Sequence, residues 1–553
     1  MDLERLHRRA RERGVNPIVY WLVRGVLQPF FHLYFRLSRV GREHVPADGP
    51  VIFAANHRSF LDPFVIGTMM RRPIYYVAKK ELFRNRLQGW ILNALGAFPV
   101  DRGNADRDMV ETAKAILARG DCVLIFAEGT RVRPGPPGPA KRGVGRLALE
   151  TGVPVVPIAV IGTTDIRRGW RIRPSKVRIR AGRALTFPRV DAPSRDLAQA
   201  VTDRIWPCVM LQWEWLGGIS PLRRAAVVGA GAWGTALAVA FARAGLDVEL
   251  GCRSREQAEA LRTTRENERY LPGVPLPGRV RPCHAAELEL AVHDLVCLAV
   301  PARDLPAVLG AYGSEIPQRA GVLVVSKGLV PPLGSLPSAY AAERVHARTV
   351  AALAGPSHAA DALEHGASVV LAAHDDAFAH ELASVLASAG FDVQTTRDVA
   401  GVELAGCAKN AAVLAAAAAA ATAGPNVAGA AAGKVFSEID GLARRLGAAP
   451  DTFAGLAGAG DLVATVVADG SRNRRAGELL AQGVPAAEIG SVLGQTAEAV
   501  DSVPLLAALL REAQLSAPAT LGLAALVEGS IEPERWTAAI TQPTRRPRKA
   551  RAA

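Results

Sequence analysis

The sequence predicts an α/β protein whose last part is all-helical. Apolar runs of strand length alternate with helical patterns in two series along the chain. These runs are residues 50–55, 122–127 and 153–160, then 225–228, 294–300, 321–326 and 349–354. Gly, Ser and Pro collect at 215–221, which is typical of a boundary between domains. After about residue 400 the strand signals stop and alanine-rich helix follows.

These patterns divide the chain of 553 residues, which is too long for one hydrophobic core. We expect a first α/β domain at 1–217, a doubly wound α/β domain at 222–400, a helical domain at 401–540 and a basic tail at 541–553. In the helical domain, the run 411–421 predicts a tightly packed alanine helix. The tail is typical of a solvated, disordered segment.

The excess positive charge lies in the first domain. The chain has a net charge of +14, and residues 1–217 hold about 36 Lys and Arg against about 19 Asp and Glu. Such a surface attracts anionic lipid headgroups or nucleic acid. A nucleic-acid site would interleave aromatic side chains on a basic face. We do not find that pattern, so nucleic-acid binding ranks last.

The cysteines indicate a reducing, cytosolic compartment. Six are scattered along the chain without a C-x-x-C pair. This spacing argues against a disulfide framework and against a zinc site, and no metal site is expected. The N-terminus carries several early charges and does not resemble a secretory signal.

Residues 17–40 predict a helix that lies on a membrane surface. The segment is rich in aromatic side chains, but Arg24, His32, Arg36 and Arg39 interrupt it. No apolar stretch of about 20 residues exists that would cross a bilayer. An amphipathic helix packed only on its own domain is the alternative, and the local basic excess favours the membrane interface.

The first candidate catalytic pair is His57 and Asp62. Five positions apart, they would not share a face of a regular helix, but they could meet across a turn. Asp62 followed by Pro63 predicts an N-cap and a first helical residue, which places His57 on the loop before the helix. A carboxylate beside the imidazole would fix its tautomer during removal of a hydroxyl proton. Taken alone, this spacing is a weak signal.

Four ordered blocks resemble the glycerolipid acyltransferase family. They are 56–62, 96–102, 126–131 and 153–158, and the likeness covers roughly residues 15–205. The resemblance implies that His57, assisted by Asp62, acts as general base on a glycerol hydroxyl that attacks an acyl thioester. It also implies a set of residues that hold the phosphate of the acceptor. These are Arg102, Glu128, Gly129, Thr130 and Arg131.

The form of the third block refines the expected acceptor. Glu-Gly-Thr-Arg is closer to enzymes that acylate 1-acyl-glycerol-3-phosphate than to those that acylate glycerol-3-phosphate itself. Arg133, Lys141 and Arg142 add positive charge nearby. Ala127 departs from the family, which usually has proline there, but the departure removes no reactive group.

A second chemical signal is the turn Gly229-x-Gly231-x-x-Gly234. It follows the predicted strand 225–228 and opens an apolar helix, the context that dinucleotide binding requires. Glycines let the backbone turn sharply and approach a pyrophosphate at the helix N-terminus. About two dozen residues on, where an acidic residue would bind the ribose of NAD, the chain has Arg253 and Arg255. This pair of arginines accommodates the 2′-phosphate of NADP, and NAD stays an alternative cofactor.

Two lysines are candidates for proton transfer in the second half. Lys327 ends a predicted strand, and Lys409 lies in an otherwise apolar helix. A buried lysine is costly when charged, so its pKa should fall towards neutrality, which suits donation of a proton to a carbonyl. The structural alternative for Lys409 is a side chain that extends out to solvent.

Residues 223–540 resemble NAD(P)-dependent glycerol-3-phosphate dehydrogenase. The matching blocks include 229–234, 326–328, 355–359, 409–410, 455–462 and 471–473. The resemblance implies that Lys409 is the proton donor and acceptor. Implied contacts of glycerol phosphate are Lys327, Gly355, Ser357, Asp461, Ser471, Arg472 and Asn473. Implied contacts of the dinucleotide are Gly229, Gly231, Ala232, Trp233, Gly234, Arg253, Lys327, Ala359, Arg472, Thr496 and Glu498.

One helix departs from this second family. The segment 433–440 has Glu438 near the position where the family has an arginine. The resemblance therefore implies less about the acceptor side of this domain, or about its contacts in an oligomer.

Together these patterns predict a bifunctional enzyme of phospholipid synthesis on the inner face of the cell membrane. One half would interconvert dihydroxyacetone phosphate and glycerol-3-phosphate with NAD(P)H, and the other would make phosphatidic acid. Acyl-coenzyme A or acyl-carrier protein would supply the acyl group, and the dehydrogenase part would form a homodimer. Two alternatives stay open for the first half: acylation of glycerol-3-phosphate itself, or an inactive module that docks the dehydrogenase on an anionic membrane.

Overall fold

A computed structural model describes residues 3–100, 107–132, 135–164, 166–168, 171–468 and 470–541. The chain divides into two compact units, Met1–Pro221 and Leu222–Ala553, here called the first and second units. The sequence placed this division between residues 217 and 222. Arg102, Arg133 and the tail beyond residue 541 lie outside the described residues.

The first unit contains a seven-stranded mixed sheet in the order β1-β9-β6-β2-β5-β3-β4. Strands β2 to β6 are mutually parallel, and β9 runs antiparallel to β6. The strands are β1 (Ser38–Val40), β2 (Val51–Ala55), β3 (Ile74–Lys79), β4 (Ala97–Val100), β5 (Cys122–Phe126), β6 (Val155–Ile161), β7 (Arg167–Arg168), β8 (Arg171–Ile172) and β9 (Arg178–Ala181). The short β7 and β8 form a separate hairpin.

Helices cover both faces of this sheet. They are α1 (Leu3–Glu12), α2 (Pro17–Tyr34), α3 (Asp62–Gly67), α4 (Arg86–Ala94), α5 (Arg107–Ala118), α6 (Gly143–Thr151) and α7 (Arg195–Trp215). Val51, Phe53 and Ala55 of β2 pack into one core, and Ile52 and Ala54 into the other. Because both faces are buried, β2 is apolar at every position rather than at alternate ones. The adjacent parallel strands β2 and β5 therefore deliver their following loops to the same edge of the sheet.

The second unit begins with an eight-stranded sheet in the order β14-β11-β10-β15-β16-β17-β18-β19. Its strands are β10 (Arg224–Val228), β11 (Asp247–Cys252), β14 (Val280–His284), β15 (Leu295–Leu298), β16 (Gly321–Val324), β17 (Thr349–Ala354), β18 (Ser368–Ala373) and β19 (Asp392–Thr396). The short β12 (Glu266–Asn267) and β13 (Leu271–Pro275) form a separate antiparallel pair. Six strands are parallel and follow the Rossmann order. Strands β18 and β19, which the sequence analysis did not predict, extend the sheet in the opposite direction.

Helices of the second unit flank this sheet and then form the helical domain. Those of the Rossmann part are α8 (Ala232–Arg243), α9 (Arg255–Thr264), α10 (Leu305–Tyr312), α11 (Pro337–Ala342), α12 (Ala359–Glu364) and α13 (Asp376–Ser388). Those of the helical domain are α14 (Val399–Ala423), α15 (Pro425–Arg445), α16 (Pro450–Ala454), α17 (Asp461–Val467), α18 (Arg472–Ala481), α19 (Ala486–Leu493), α20 (Glu498–Glu512), α21 (Pro518–Val527) and α22 (Pro533–Thr541). The predicted fold class is confirmed.

Helix α14 is the centre of the helical domain. It is long and apolar enough to cross a bilayer, but 83% of its apolar window is buried inside the protein. Its small alanines let neighbouring helices pack closely, as predicted for the run 411–421. Glu438 of α15 also has a structural partner within the chain. Its carboxylate accepts hydrogen bonds from the backbone amides of Ala519 and Thr520, at the start of α21.

Candidate active sites

His57 and Asp62 meet at the carboxyl edge of the first sheet. Nδ1 of His57 lies 2.9 Å from Oδ2 of Asp62, and both side chains are nearly or fully buried. Because an ionised carboxylate only accepts hydrogen bonds, the proton sits on Nδ1 and leaves Nε2 as an acceptor. The ring of Phe126 stacks on the imidazole, with 3.9 Å between ring centroids. The imidazole is thus fixed in both tautomer and plane.

The turn between the two residues differs by one position from the prediction. Asp62 is the first residue of α3, and Leu61 rather than Asp62 occupies the N-cap. The reason is that the carboxylate of Asp62 points back into the preceding loop. Its Oδ2 accepts the backbone amides of Arg58 and Ser59 at 2.6 and 2.7 Å. One carboxylate therefore shapes the loop and orients the imidazole.

Glu128 holds the same loop from the other side. Its Oε2 accepts the backbone amide of His57 at 2.6 Å, and its Oε1 accepts that of Gly138 at 2.7 Å. Burial raises the pKa of Glu128, while these two amides act in the opposite direction. Both oxygens of the carboxylate are thus engaged with backbone. The structure gives Glu128 a positioning role, whereas the sequence resemblance implied a contact with the acceptor.

Residues 129–131 form the exposed end of this site. Gly129 has φ +69°, and an added Cβ would lie 3.0 Å from the side chain of Lys141, so that lysine lies across the glycine. Thr130 and Arg131 are exposed. The backbone amide of Lys141 donates to Ala127 at 2.8 Å, which brings a second cation to the loop that carries Arg131. The pair offers a positive rim for a phosphate.

Arg58 is a site residue that the sequence analysis missed. Its guanidinium lies 4.6 Å from the ring centre of Trp213 on α7, and its Nη2 donates to the carbonyl of Gly135 at 2.6 Å. The amide of Val132 also donates to the carbonyl of His57 at 3.0 Å. Arg58 therefore braces the catalytic loop against the loop after β5. Only its place beside His57 could have signalled it, because Trp213 is 155 positions away.

In the second unit, the glycine turn has the shape that a dinucleotide requires. Gly229 has φ +112°, and an added Cβ would lie 2.5 Å from the carbonyl oxygen of Ala299. An added Cβ at Gly234 would clash with the carbonyl of Gly229, so these two glycines let strand and helix approach. At Gly231 an added Cβ meets nothing within 4 Å. Gly231 is the N-cap of α8, and backbone amides at a helix N-terminus favour a pyrophosphate.

Other predicted dinucleotide residues surround the same edge of the sheet. Ala232 and Trp233 form the first turn of α8, and the ring of Trp233 meets that of Phe391 edge-on. Arg253 is exposed directly after β11. Ala359 is the first residue of α12. The chain thus presents a glycine turn, an aromatic side chain and a cation along one edge.

Glu498 joins the helical domain to this edge. It begins α20, and its two carboxylate oxygens accept the amides of Ala302 and Lys327 at 3.1 and 3.0 Å. Arg303 donates to Oγ1 of Thr496 at 3.2 Å, two residues earlier. The predicted contacts Thr496 and Glu498 therefore lie where the two parts of the second unit meet.

Two lysines and a carboxylate form the core of the second site. Nζ of Lys327 lies 2.6 Å from one oxygen of Asp461, and Nζ of Lys409 lies 3.4 Å from the other. Lys409 and Asp461 are almost fully buried. Lys327 also donates to the carbonyl of Gly355 at 3.4 Å, as does Oγ of Ser357 at 2.9 Å. Residues predicted from four separate segments therefore meet.

Burial sets the ionisation of this cluster. It lowers the pKa of Lys409 to about 8, and the nearby charge of Lys327 acts in the same direction. Burial alone would raise the pKa of Asp461, but Lys327 and Lys409 outweigh it, and the pKa is lowered. The cluster therefore holds a carboxylate and a lysine that can give or take a proton near neutral pH.

Residues 471–473 lie at the start of α18. Oγ of Ser471 accepts the amide of Arg474, and Oδ1 of Asn473 accepts the amide of Ala499. Arg472 is exposed, and its Nη1 lies 3.4 Å from the carbonyl oxygen of Thr496. Arg472 therefore links the first turn of α18 to the segment that carries Thr496.

Two further residues adjoin Lys409 and were not predicted. Oγ1 of Thr465 accepts from its Nζ at 3.2 Å. Burial lowers the pKa of His358, and the charge of Lys409 lowers it further. Thr465 is one helical turn after Asp461, so the helix period could have identified it. His358 lies within the block 355–359, and its place between Ser357 and Ala359 was its only signal in the sequence.

Comparisons with known proteins identify a family for each of the two units. A family model described as acyltransferase matches residues 36–161. Models of the N-terminus and C-terminus of NAD-dependent glycerol-3-phosphate dehydrogenase match residues 224–379 and 398–538.

Similar proteins give the same result for the second unit. The chain is 36% identical over 308 residues to glycerol-3-phosphate dehydrogenase [NAD(P)+] of Caulobacter vibrioides, covering 55% of this chain and 92% of that protein. It is 38% identical over 300 residues to the enzyme of Corynebacterium aurimucosum, covering 53% of this chain and 90% of that protein. A solved glycerol-3-phosphate dehydrogenase from Coxiella burnetii is 28% identical with a TM-score of 0.55, covering 58% of this chain and 99% of that one. The chain belongs to the NAD-dependent glycerol-3-phosphate dehydrogenase family and carries an acyltransferase domain ahead of it.

Proposed function

We propose that this chain is a bifunctional enzyme of phospholipid synthesis. Its second unit interconverts dihydroxyacetone phosphate and sn-glycerol-3-phosphate with NAD(P)H. Its first unit transfers an acyl group from a thioester to 1-acyl-glycerol-3-phosphate and yields phosphatidic acid. Oxidation of NAD(P)H that requires dihydroxyacetone phosphate tests the reaction of the second unit. Release of a thiol that requires the monoacyl acceptor tests the reaction of the first unit.

The buried Lys409–Asp461–Lys327 cluster carries the proposal for the second unit. The dinucleotide supplies a hydride to the carbonyl carbon of the substrate. Lys409 donates a proton to the carbonyl oxygen, and Asp461 keeps this lysine oriented at 3.4 Å. Lys327 adds positive charge beside the developing oxyanion. The exposed Arg472 is suited to the phosphate of the substrate, with Ser471 and Asn473 at the helix N-terminus beside it.

The rates should depend on pH in opposite ways for the two directions. Reduction needs protonated Lys409, so its rate constant should be level at low pH and fall as the pH rises through about 8. Oxidation needs the neutral amine and should rise through the same range. Measuring the rate of the chemical step in both directions against pH checks this. A reduction rate that still rises above this range would contradict the assignment of Lys409.

Arg253 should favour NADPH over NADH. It is exposed directly after β11, where a guanidinium can bind the 2′-phosphate of NADP. Arg253→Ala should weaken NADPH about tenfold or more and change NADH little. Dissociation constants from fluorescence titration would show the difference, and Arg262→Ala in α9 provides a control. Equal losses for both dinucleotides would show that Arg253 does not read this phosphate.

The fixed His57–Asp62 pair carries the proposal for the first unit. Nε2 of His57 takes the proton of the acceptor hydroxyl as its oxygen attacks the thioester carbonyl. The carbon–sulfur bond then breaks, and the imidazolium donates its proton to the leaving thiolate. Asp62 stabilises the imidazolium between these steps. The exposed Arg131, with Lys141 beside it, is suited to the phosphate of the acceptor.

The acyl product and donor indicate a place at the membrane. We propose that the chain is cytoplasmic and binds the anionic inner face of the cell membrane through α2. The exposed side chains of this helix support the proposal, since Ile18, Leu22, Val26 and Leu33 lie on one face. Acyl-coenzyme A or acyl-carrier protein would deliver the acyl group. We also expect a homodimer through the second unit, which mass measurement in solution would test.

A further inference from the structure

Three arginines converge on the carboxyl end of α3. Each donates to a backbone carbonyl that follows the helix. Arg39 donates to the carbonyl of Thr68 at 2.7 Å. Arg42 donates to that of Met69 at 3.1 Å, and Arg24 to that of Met70. Arg24 comes from α2, whereas Arg39 and Arg42 come from β1 and the turn after it. We call these three residues the arginine cluster. It lies at the opposite end of α3 from the catalytic Asp62.

The charge of the cluster exceeds what the helix end can balance. A helix C-terminus carries roughly half a negative charge, and three guanidiniums carry about three positive ones. Burial lowers the pKa of Arg39, and the charges of Arg42 and Arg24 lower it further, so the three cations repel one another. Within the described parts of the chain, no carboxylate pairs with any of them. An anion placed between them would remove this repulsion.

Arg24 has a donor without a partner and faces a groove. Its Nη1 is buried and makes no hydrogen bond. The groove beside it has a volume of about 340 Å³ and is lined by Trp21, Arg24, Gly25, Gln28, Pro29 and His32. The guanidinium also lies 5.3 Å from the ring centre of Trp21. The groove therefore joins a cation to an aromatic side chain, a combination typical of the headgroup region of a membrane.

The exposed apolar face of α2 lies on the other side of this groove from Arg24. Ile18 and Leu33 are 79% and 83% exposed, and they share this face with Leu22 and Val26. At about 100° per residue, Arg24 lies on the side of α2 opposite this face, and the groove residues Gln28 and Gly25 lie between the two. If the face enters the apolar layer of a membrane, the cluster lies above that layer, on the side of the lipid headgroups.

We propose that Arg24, Arg39 and Arg42 form a binding site for the phosphate of an anionic membrane lipid. This inference rests on the proposed membrane association and names the headgroup site that would hold the first unit there. A lipid bound in this site would contact the far end of the helix that begins with Asp62. The proposed site is separate from the acceptor site at Arg131, which lies at the edge of the sheet.

The test compares binding of the full chain to sedimented vesicles. One vesicle preparation contains phosphatidylcholine alone, and the other also contains phosphatidic acid. Arg24→Gln/Arg39→Gln/Arg42→Gln should bind the anionic vesicles about tenfold to a hundredfold less tightly than the wild type. The control Arg445→Gln/Arg511→Gln/Arg535→Gln removes the same charge from exposed positions of the second unit and should change binding little.

Folding of the first unit is checked by the circular dichroism spectrum and the thermal unfolding of each variant, because the dehydrogenase activity reports only on the second unit. Arg24→Lys/Arg39→Lys/Arg42→Lys keeps the charge, removes the bidentate fork and should lose part of the preference for phosphatidic acid. Equal binding by the Gln variant and the wild type would overturn the arginine site while leaving membrane association intact. Absence of vesicle binding by the wild type would instead overturn membrane association itself.

A competition experiment distinguishes binding of a lipid phosphate from binding of free inorganic phosphate. Inorganic phosphate is added to the wild type at rising concentration, with and without the anionic vesicles. Because the adjacent apolar face contributes only when the phosphate belongs to a lipid, vesicle binding should persist at phosphate concentrations far above those of the lipid. Saturable binding of inorganic phosphate that displaces the protein fully from the vesicles would overturn the lipid assignment.

Discussion

Lys409→Met is expected to lower the rate of dihydroxyacetone phosphate reduction by about a thousandfold. The substitution removes the only proton donor that the proposal places beside the carbonyl oxygen. Asp461 keeps its ion pair with Lys327 at 2.6 Å, so no buried carboxylate is left unpaired. Methionine also suits the apolar surroundings in α14. The dinucleotide should therefore bind as before, which separates loss of chemistry from loss of structure.

Steady-state rates and dinucleotide titration measure the two effects. Lys434→Met, on an exposed position of the same helical domain, provides the matched control and should retain its activity. If Lys409→Met turned over at the normal rate, another group would have to be the proton donor. Loss of dinucleotide affinity together with activity would indicate a structural role instead.

His57→Ala is expected to lower acyl transfer by about a thousandfold or more and to leave the dehydrogenase unchanged. The imidazole is the group that the buried Asp62 and the ring of Phe126 hold in place. Removing it leaves no base on the acceptor hydroxyl, while both supporting side chains persist. Thiol release from an acyl thioester in the presence of 1-acyl-glycerol-3-phosphate gives the rate.

A second histidine of the first unit provides the control for this variant. Nδ1 of His44 lies 3.1 Å from the carbonyl of Ala181, away from the catalytic loop. His44→Ala should therefore keep its acyl transfer. Unchanged acyl transfer in His57→Ala would exclude His57 as the base. The inactive docking module then becomes the better explanation of the first unit.

Short segments with local chemistry could be predicted from the sequence. The glycine turn 229–234 requires positive φ and close packing that only glycine allows. Its pattern can therefore be recognised in the sequence without knowledge of the tertiary structure. Buried parallel strands such as β2 and β5 are continuous apolar runs, which made them visible as well. The pairing of His57 with Asp62 was expected because both lie on one short turn.

Contacts between distant segments could not be predicted. Arg58 stacks on Trp213, and Arg24 meets Arg39 and Arg42 only because α2 packs beside α3. Nothing local marks these side chains as partners. The role of Glu128 was also hidden, since a carboxylate in a phosphate-binding block gives no sign that backbone amides occupy both its oxygens.

Incubation of the purified chain with both sets of substrates decides whether two reactions occur in one protein. NADPH and dihydroxyacetone phosphate should give glycerol-3-phosphate, and an acyl thioester with 1-acyl-glycerol-3-phosphate should give phosphatidic acid and one thiol per product. Lipid formed from glycerol-3-phosphate alone would move the acceptor to the unacylated compound. Full dehydrogenase activity with no acyl product from either acceptor would contradict the bifunctional enzyme.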